Sequence, residues 1–337
     1  MSRLDDYRTA LLAAHPDVAG ERLVAALDER PTEFSRFIVD MGLGPLWRDR
    51  TGRAEFHESR LRAEALYLAQ RAALREIDDA LEEAGIDYVV IKGAATRLLL
   101  YDNPALRACY DLDLLVRPED RVTAAAALAK VGFTAKKDVL GISRVLILSR
   151  GAVDIDLHWG LLREGRLRRD LTADMLDRRR RVDDLWMPDA EDTLFVLLVH
   201  PAFAKHLAGW NMGLHRVADV LRYLQTQSCD WQLLRTRLAE SGAQTAAWAT
   251  LRWLQLLTEP EAPAELQVML TELGPGPVRR AWLERWLSRN LSERTARMHW
   301  ARLLGFSLFL HDTPRDALRA LGGRYRAHRR RKNDLAV

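Results

Sequence analysis

Asp111-Leu-Asp113 and Asp154-Ile-Asp156 set carboxylates into otherwise apolar segments. In a strand, residues i and i+2 point to one face, roughly 7 Å apart. In Cys109-Tyr-Asp-Leu-Asp-Leu-Leu-Val116 the two aspartates therefore project together. Leu112 opposes them, and Leu115 is expected on that same core-facing side. In Val153-Asp-Ile-Asp-Leu-His-Trp159, Asp154, Asp156 and His158 share one face, and Val153, Ile155 and Leu157 the other. Acids crowded on an apolar strand need a counter-charge, and a divalent cation supplies one. Three carboxylates on neighbouring strands can hold two Mg2+ ions about 4 Å apart. Such a pair activates an attacking oxygen and neutralises charge on a phosphoryl group in transfer. Exposed edge strands with polar outer faces are the bland alternative.

A second feature is Tyr88-Val-Val-Ile-Lys-Gly-Ala-Ala-Thr-Arg97. It reads as a buried strand that ends at a glycine and runs into a helix. That junction offers backbone N–H groups to a phosphate, and Gly93 permits close approach. Lys92 and Arg97 could add charge. Other polar residues have structural readings. His158 is expected to be a strand-end histidine satisfied by backbone, with a role at a metal or substrate as the alternative. His200, Lys205 and His206, near the end of an apolar helix, read as packed residues. Asp219 reads as a local ion-pair partner beside His215 and Arg222. Cys109 reads as a packed thiol.

These residues need elements to carry them. Residues 1–85 read as helical, with breaks at Asp17, Pro31 and Thr32. Leu66, Ala69, Ala73, Ile77, Leu81 and Ala84 keep helical spacing up to Gly85. Strands are expected over 87–92 and 110–116, with a helix over 94–101 between them and a turn at Asn103-Pro104. Pro118 is expected to open a helix that runs to Val131. Further strands are expected over 133–136, 143–148 and 153–158. From about 170 the chain turns helical again. Leu194–Val199 is apolar all round, and Pro201 is expected to bend or end that helix. Leu214, Val217, Leu221 and Leu224 form a stripe. Glu259-Pro-Glu-Ala-Pro263 and Gly274-Pro-Gly-Pro277 mark breaks. The expected fold class is α+β: a small mixed β-sheet with helices on one side, flanked by N-terminal and C-terminal helical regions. The divisions fall at 1–85, 86–190, 191–325 and a basic tail, 326–337.

Composition narrows the classes. The 337 residues carry 51 Lys and Arg against 47 Asp and Glu, a net charge of +4, so charge alone does not argue for nucleic acid. Basic residues cluster at Arg178–Arg181 and Arg324–Lys332. A solvated helix face and a loose C-terminus explain them, with nucleic-acid contact as the rival. Two cysteines, Cys109 and Cys229, exclude a disulfide framework and suit a reducing cytoplasm. The N-terminus has no signal-peptide core, and the longest apolar run is far too short to span a bilayer.

Lys92-Gly93, Arg107, Asp111-Leu-Asp-Leu-Leu-Val116 and Asp156-Leu-His-Trp159 resemble the bacterial uncharacterised nucleotidyltransferase family, within the nucleotidyltransferase fold of DNA polymerase β. The resemblance covers about residues 85–225. It includes Asp192-Thr-Leu-Phe-Val-Leu-Leu-Val-His200, Lys205-His206 and Asp219-Val-Leu. It implies that Asp111 and Asp113 are metal ligands and that Asp156 is the third carboxylate, with Asp154 as the rival. It implies Lys92, Gly93, Ala94, Arg97 and Arg107 as nucleotide-binding residues, although Arg107 could instead be salt-bridged to a nearby acid. Gly93-Ala94 replaces the Gly-Ser or Gly-Gly of the wider fold, so a serine contact to phosphate is missing. The implied cofactor is Mg2+ or Mn2+, and the implied substrate is an NTP. The implied reaction moves a nucleoside monophosphate to an acceptor that could be a small molecule, a peptide or protein, or RNA. Phosphoryl or pyrophosphoryl transfer on the same fold, a toxin-like protein acting on tRNA, and a catalytically dead scaffold are the alternatives.

Overall fold

The computed structural model describes residues 3–30, 32–137, 144–207, 213–258, 264–288 and 300–334. Four short helices come first: α1 (Arg3–Leu11), α2 (Gly20–Asp28), α3 (Glu33–Asp40) and α4 (Gly44–Thr51). The long α5 (His57–Glu83) follows and stops at Gly85, whose φ is +67°. Its second half buries Ala73, Leu74, Ile77 and Leu81, as the helical spacing requires. Pro31 lies outside the described residues.

The sheet region begins with β1 (Tyr88–Ile91), then α6 (Lys92–Leu100), β2 (Asp111–Val116) and α7 (Arg121–Lys130). It continues with β3 (Thr134–Lys137), β4 (Val145–Arg150) and β5 (Val153–His158). The helix expected from Pro118 starts three residues later, because residues 118–120 form a turn in which the Asp120 N–H bonds Arg117 O. Ser143, expected in β4, lies outside the described residues. The strand order is β1-β2-β5-β4-β3. β2 and β5 run parallel, and the other neighbours are antiparallel.

Register decides which residues meet. Asp111 pairs with Asp154, Asp113 with Asp156 and Leu115 with His158. Leu115 therefore lies on the aspartate face, contrary to expectation, and is buried there against the helical core together with Val89 and Ile91. The opposite face carries Leu112, Leu114, Ile155 and Leu157, covered by α5 and α7.

The chain then runs through α8 (Thr172–Asp177), the hairpin β6 (Arg180–Val182) and β7 (Leu185–Met187), and α9 (Ala190–Lys205). Asp183 and Asp184 both have positive φ, as a tight two-residue hairpin turn demands. Arg178–Arg181 is thus not a helix face. Arg178 pairs with Asp192, Arg179 with Asp87 and Arg181 with Asp78. Three of the four guanidinium groups offered to nucleic acid are spent inside the molecule. Pro201 does not end α9; the helix continues to Lys205 and stops at His206, whose φ is +55°.

Seven more helices complete the described chain: α10 (His215–Thr226), α11 (Trp231–Ser241), α12 (Gln244–Thr258), α13 (Ala264–Glu272), α14 (Pro277–Leu287), α15 (Trp300–Phe309) and α16 (Pro314–Asp334). The break expected at 259–263 lies outside the described residues. The basic tail is not a loose coil up to Asp334, because α16 runs through it. Helices before and after the sheet share one apolar core, in which Leu11, Trp47, Leu198, Leu221 and Leu251 are all buried. No helix among the described residues is long and apolar enough to cross a membrane.

His311 follows α15 and is fully buried, its ring 4.8 Å from that of Phe203. Burial, and then the nearby Arg166, lower its pKa from 6.5 to about 4. A group depressed in this way contributes stability that is complete above about pH 6.5 and is lost as pH falls toward 4. Urea unfolding at pH 5 and pH 7.5 should show lower stability at pH 5. His311→Phe should narrow that gap by about 2 kcal/mol, since its packing cost does not depend on pH.

Candidate active site

β1 is buried along its whole length and leaves the sheet at Lys92, which has a φ of +54°. A left-handed backbone is uncommon for a residue with a side chain and costs on the order of 1 kcal/mol or more. The turn sends Lys92 over the acidic face of β2 and β5. Its Nζ lies 2.6 Å from Asp113 Oδ1 and 3.0 Å from His158 Nε2. Nε2 of His158 therefore meets the Lys92 ammonium, with Asp113 Oδ1 2.9 Å away, and not a backbone group. Asp113 is 4% exposed. Burial alone would raise its pKa, but the Lys92 ammonium holds it well below the usual carboxylate range.

The neighbouring acids behave oppositely. Burial, followed by Asp113, raises Asp111. Burial, followed by Asp113 and Asp111, raises Asp156 to about 6. The site holds more negative charge than Lys92 can balance, a condition that a bound cation relieves. Ligand atoms of Asp113, Asp156 and His158 lie within 4.8 Å of one another, a donor set that fits a divalent ion. Asp111 lines the same cavity without joining that tight cluster. Asp154 goes elsewhere, into an ion pair with Lys136 at 2.5 Å near the sheet edge. Of the two later aspartates, only Asp156 turns into the cavity.

The residues expected to hold phosphate are placed differently from one another. Lys92 and Gly93 line the cavity. Ala94 is buried in the core beside α5. Arg97 is 1% exposed, donates to Gln70 Oε1 at 2.7 Å and packs on the Tyr67 ring. It ties α6 to α5 and does not reach the cavity. Arg107 lines the cavity, but its guanidinium is turned onto Asp219, with Nη2 2.7 Å from Oδ2. Asp219 also accepts from the Tyr101 hydroxyl at 3.0 Å. Its partners are thus Arg107 and Tyr101, not His215 and Arg222; Arg222 packs over the Tyr101 ring.

Across a cavity of about 340 Å³ stands a cationic wall. It comprises Lys205 of α9, Arg216 of α10, and Arg163 and Arg166 from the segment after β5, with His200 and His206 lining the cavity beside them. Burial, and then Arg216, lowers Lys205; burial, and then Arg107, lowers Arg216. Burial, and then Lys92, lowers His200 well below its ordinary value. Lys205 and Arg216 crowd each other as the acids opposite do, and an anion between them would relieve it. Sequence reasoning treated His200, Lys205 and His206 as packing residues and missed Arg163, Arg166 and Arg216. Lys205-His206 carried a signal in its segment; the three arginines carried none above the general abundance of arginine.

Gly93 is needed for a reason besides phosphate approach. A Cβ there would lie 2.6 Å from Arg107 Nη1 and 3.0 Å from Cys109 Sγ. Gly93→Ala should cost about 1–3 kcal/mol in urea unfolding by overpacking. In an Arg107→Ala background that cost should shrink; equal costs in the two backgrounds would mean that the guanidinium is not what the glycine accommodates.

The sequence profile of a family described as "Uncharacterised nucleotidyltransferase" matches residues 49–259, well over half of the chain. No curated protein matches. Among solved structures, the antibiotic-resistance factor ANT(2'')-Ia, determined in solution, overlaps with a TM-score of 0.38 at 12% identity, covering 51% of this chain and 92% of that one. That overlap is too loose to add to the argument. The profile match spans β1 to β7, Asp111, Asp113 and Asp156 on the sheet side of the cavity, and both helices of the cationic wall. The chain belongs to the uncharacterised nucleotidyltransferase family.

Proposed function

We propose that the chain moves a nucleoside monophosphate from an NTP to an acceptor, with release of pyrophosphate. The observation that supports this reading is the separation of charge across one cavity. Acids with raised pKa values stand on the sheet side, and cations with lowered pKa values on the helical side. A polyphosphate carrying a divalent cation has the matching polarity. Asp113 and Asp156, with His158, would hold Mg2+ or Mn2+. When bound, that ion supplies positive charge against the phosphoryl group being transferred. Lys205, Arg216, Arg163 and Arg166 would receive the phosphates. Asp111, on the same face but outside the tight cluster, would take the proton of the acceptor hydroxyl. Little further acid–base chemistry is required, because positioning and fixed charge carry most of the catalysis.

Arg107 supports this arrangement without touching phosphate. Its pairing with Asp219 fastens α10, and with it Arg216, to the segment leading into β2.

The test is label transfer from α-labelled ATP, or another α-labelled NTP, to a component of cell extract. Asp113→Asn and Asp156→Asn should each lower transfer by about 10²–10³-fold while the protein stays folded. Lys205→Ala should raise KM for the NTP about tenfold with less effect on kcat. Undiminished transfer by Asp113→Asn would refute the assignment. Transfer from γ-labelled but not α-labelled NTP would turn it into a phosphoryl transferase.

A further inference from the structure

Lys92 occupies the place of a cation. Its Nζ is 2.6 Å from Asp113 Oδ1 and 3.0 Å from His158 Nε2, and those two atoms are 2.9 Å apart. Both residues belong to the cluster that could hold a metal ion. An ammonium only donates hydrogen bonds, so its partners must present acceptor atoms. Nε2 of His158 is therefore the acceptor of that contact. The hydrogen-bond network then assigns its proton to Nδ1 and leaves the Nε2 lone pair for Lys92. A carboxylate oxygen and an imidazole lone pair 2.9 Å apart repel each other unless a positive charge lies against both. The ammonium is that charge.

A neutral imidazole nitrogen has one lone pair, directed along one line in the ring plane. A divalent ion bound through Nε2 must use the lone pair that accepts from Lys92. The ion and the ammonium therefore cannot hold His158 at once. The backbone of Lys92 bears on the same point. Its φ of +54° marks an uncommon conformation at a strand-to-helix junction, and it sends the side chain over the carboxylates.

We propose that Lys92 is a resident counter-cation, displaced when a divalent ion takes Asp113 and His158. In the metal-free protein it keeps the ligands assembled. On metal entry it swings out into the cavity, on the side where the proposed function puts the phosphates. Metal loading and release of the Lys92 ammonium are then one event. The inference rests on the reading of Asp113, Asp156 and His158 as a cation site.

The experiment is Mn2+ binding to the full chain without nucleotide, followed by the electron paramagnetic resonance signal of free Mn2+. Lys92→Met should bind Mn2+ more tightly than wild type by about tenfold or more, the fold-change matching loss of one charge-assisted hydrogen bond. Unchanged or weaker binding would show the ammonium beside the ion, not in its place, and would overturn the proposal. A second measurement uses wild type and does not depend on the folding of the variant. Acetic anhydride labelling of Lys92, read by mass spectrometry, should rise several-fold on saturation with Mg2+; equal or lower labelling overturns the proposal as well. Neither readout needs nucleotidyl transfer. A chain that shows the competition yet transfers no nucleotide sinks the proposed reaction alone. One that transfers nucleotide with Mn2+ affinity indifferent to Lys92 sinks this inference alone.

Discussion

Parallel pairing of β2 with β5 is the constraint on which the site depends. It sets Asp113 directly beside Asp156, and Leu115 beside His158, inside a sheet whose other pairings are antiparallel. Buried carboxylates on adjacent strands repel each other, and desolvation worsens their charged forms. One of them, Asp113, is held ionised by Lys92; burial, and then Asp113, push Asp111 and Asp156 upward. A one-residue slip of β5 would turn Ile155 and Leu157 into the cavity and the acids into the core under α5 and α7. The apolar face protects against that slip, since Leu112, Leu114, Ile155 and Leu157 are all fully buried.

The helical surroundings supply the opposite charge and hold it in place. α9 brings His200 and Lys205 to the cavity, and α10 brings Arg216. The start of α9 is anchored by the fully buried Asp192, which meets both Arg178 and Arg237. α10 is anchored through Asp219 to Arg107 and Tyr101. Such pairs contribute little net stability when formed, yet removing one partner is costly because it strands a buried charge. They fix the distance between the cationic wall and the sheet. Gly93 belongs to the same device, because only a residue without Cβ leaves room for the Arg107 guanidinium.

Much of this was legible from period and residue type. β5 falls on residues 153–158 as expected, and the face shared by Asp154, Asp156 and His158 follows from alternation alone. α5 and its core stripe were visible as well. What was not legible is where long side chains end. Arg97 reads as a phosphate ligand and Lys205 as a packed residue, yet the first is folded back onto Gln70 and the second lines the cavity. Asp154 and Asp156 share a face and differ only in which neighbour reaches them. Lys136 from the edge strand takes the first. Leu115, two residues from Asp113, shares the aspartate face by alternation; its apolar type points the other way only if one face is buried, whereas the sheet is buried on both faces near β1 and β2. The Arg178–Arg181 run read as surface because its acidic partners, Asp78, Asp87 and Asp192, are scattered over more than a hundred residues.

The central claim is that the acidic side of the cavity is a divalent-cation site facing an NTP. A crystal structure with Mn2+ and a non-hydrolysable NTP tests it most directly, through the anomalous signal of manganese. The account predicts a peak within coordination distance of Asp113 and Asp156, with the triphosphate lying between it and Lys205 and Arg216. Triphosphate bound away from Asp113 and Asp156, or manganese at some other cluster with these carboxylates unliganded, would contradict it.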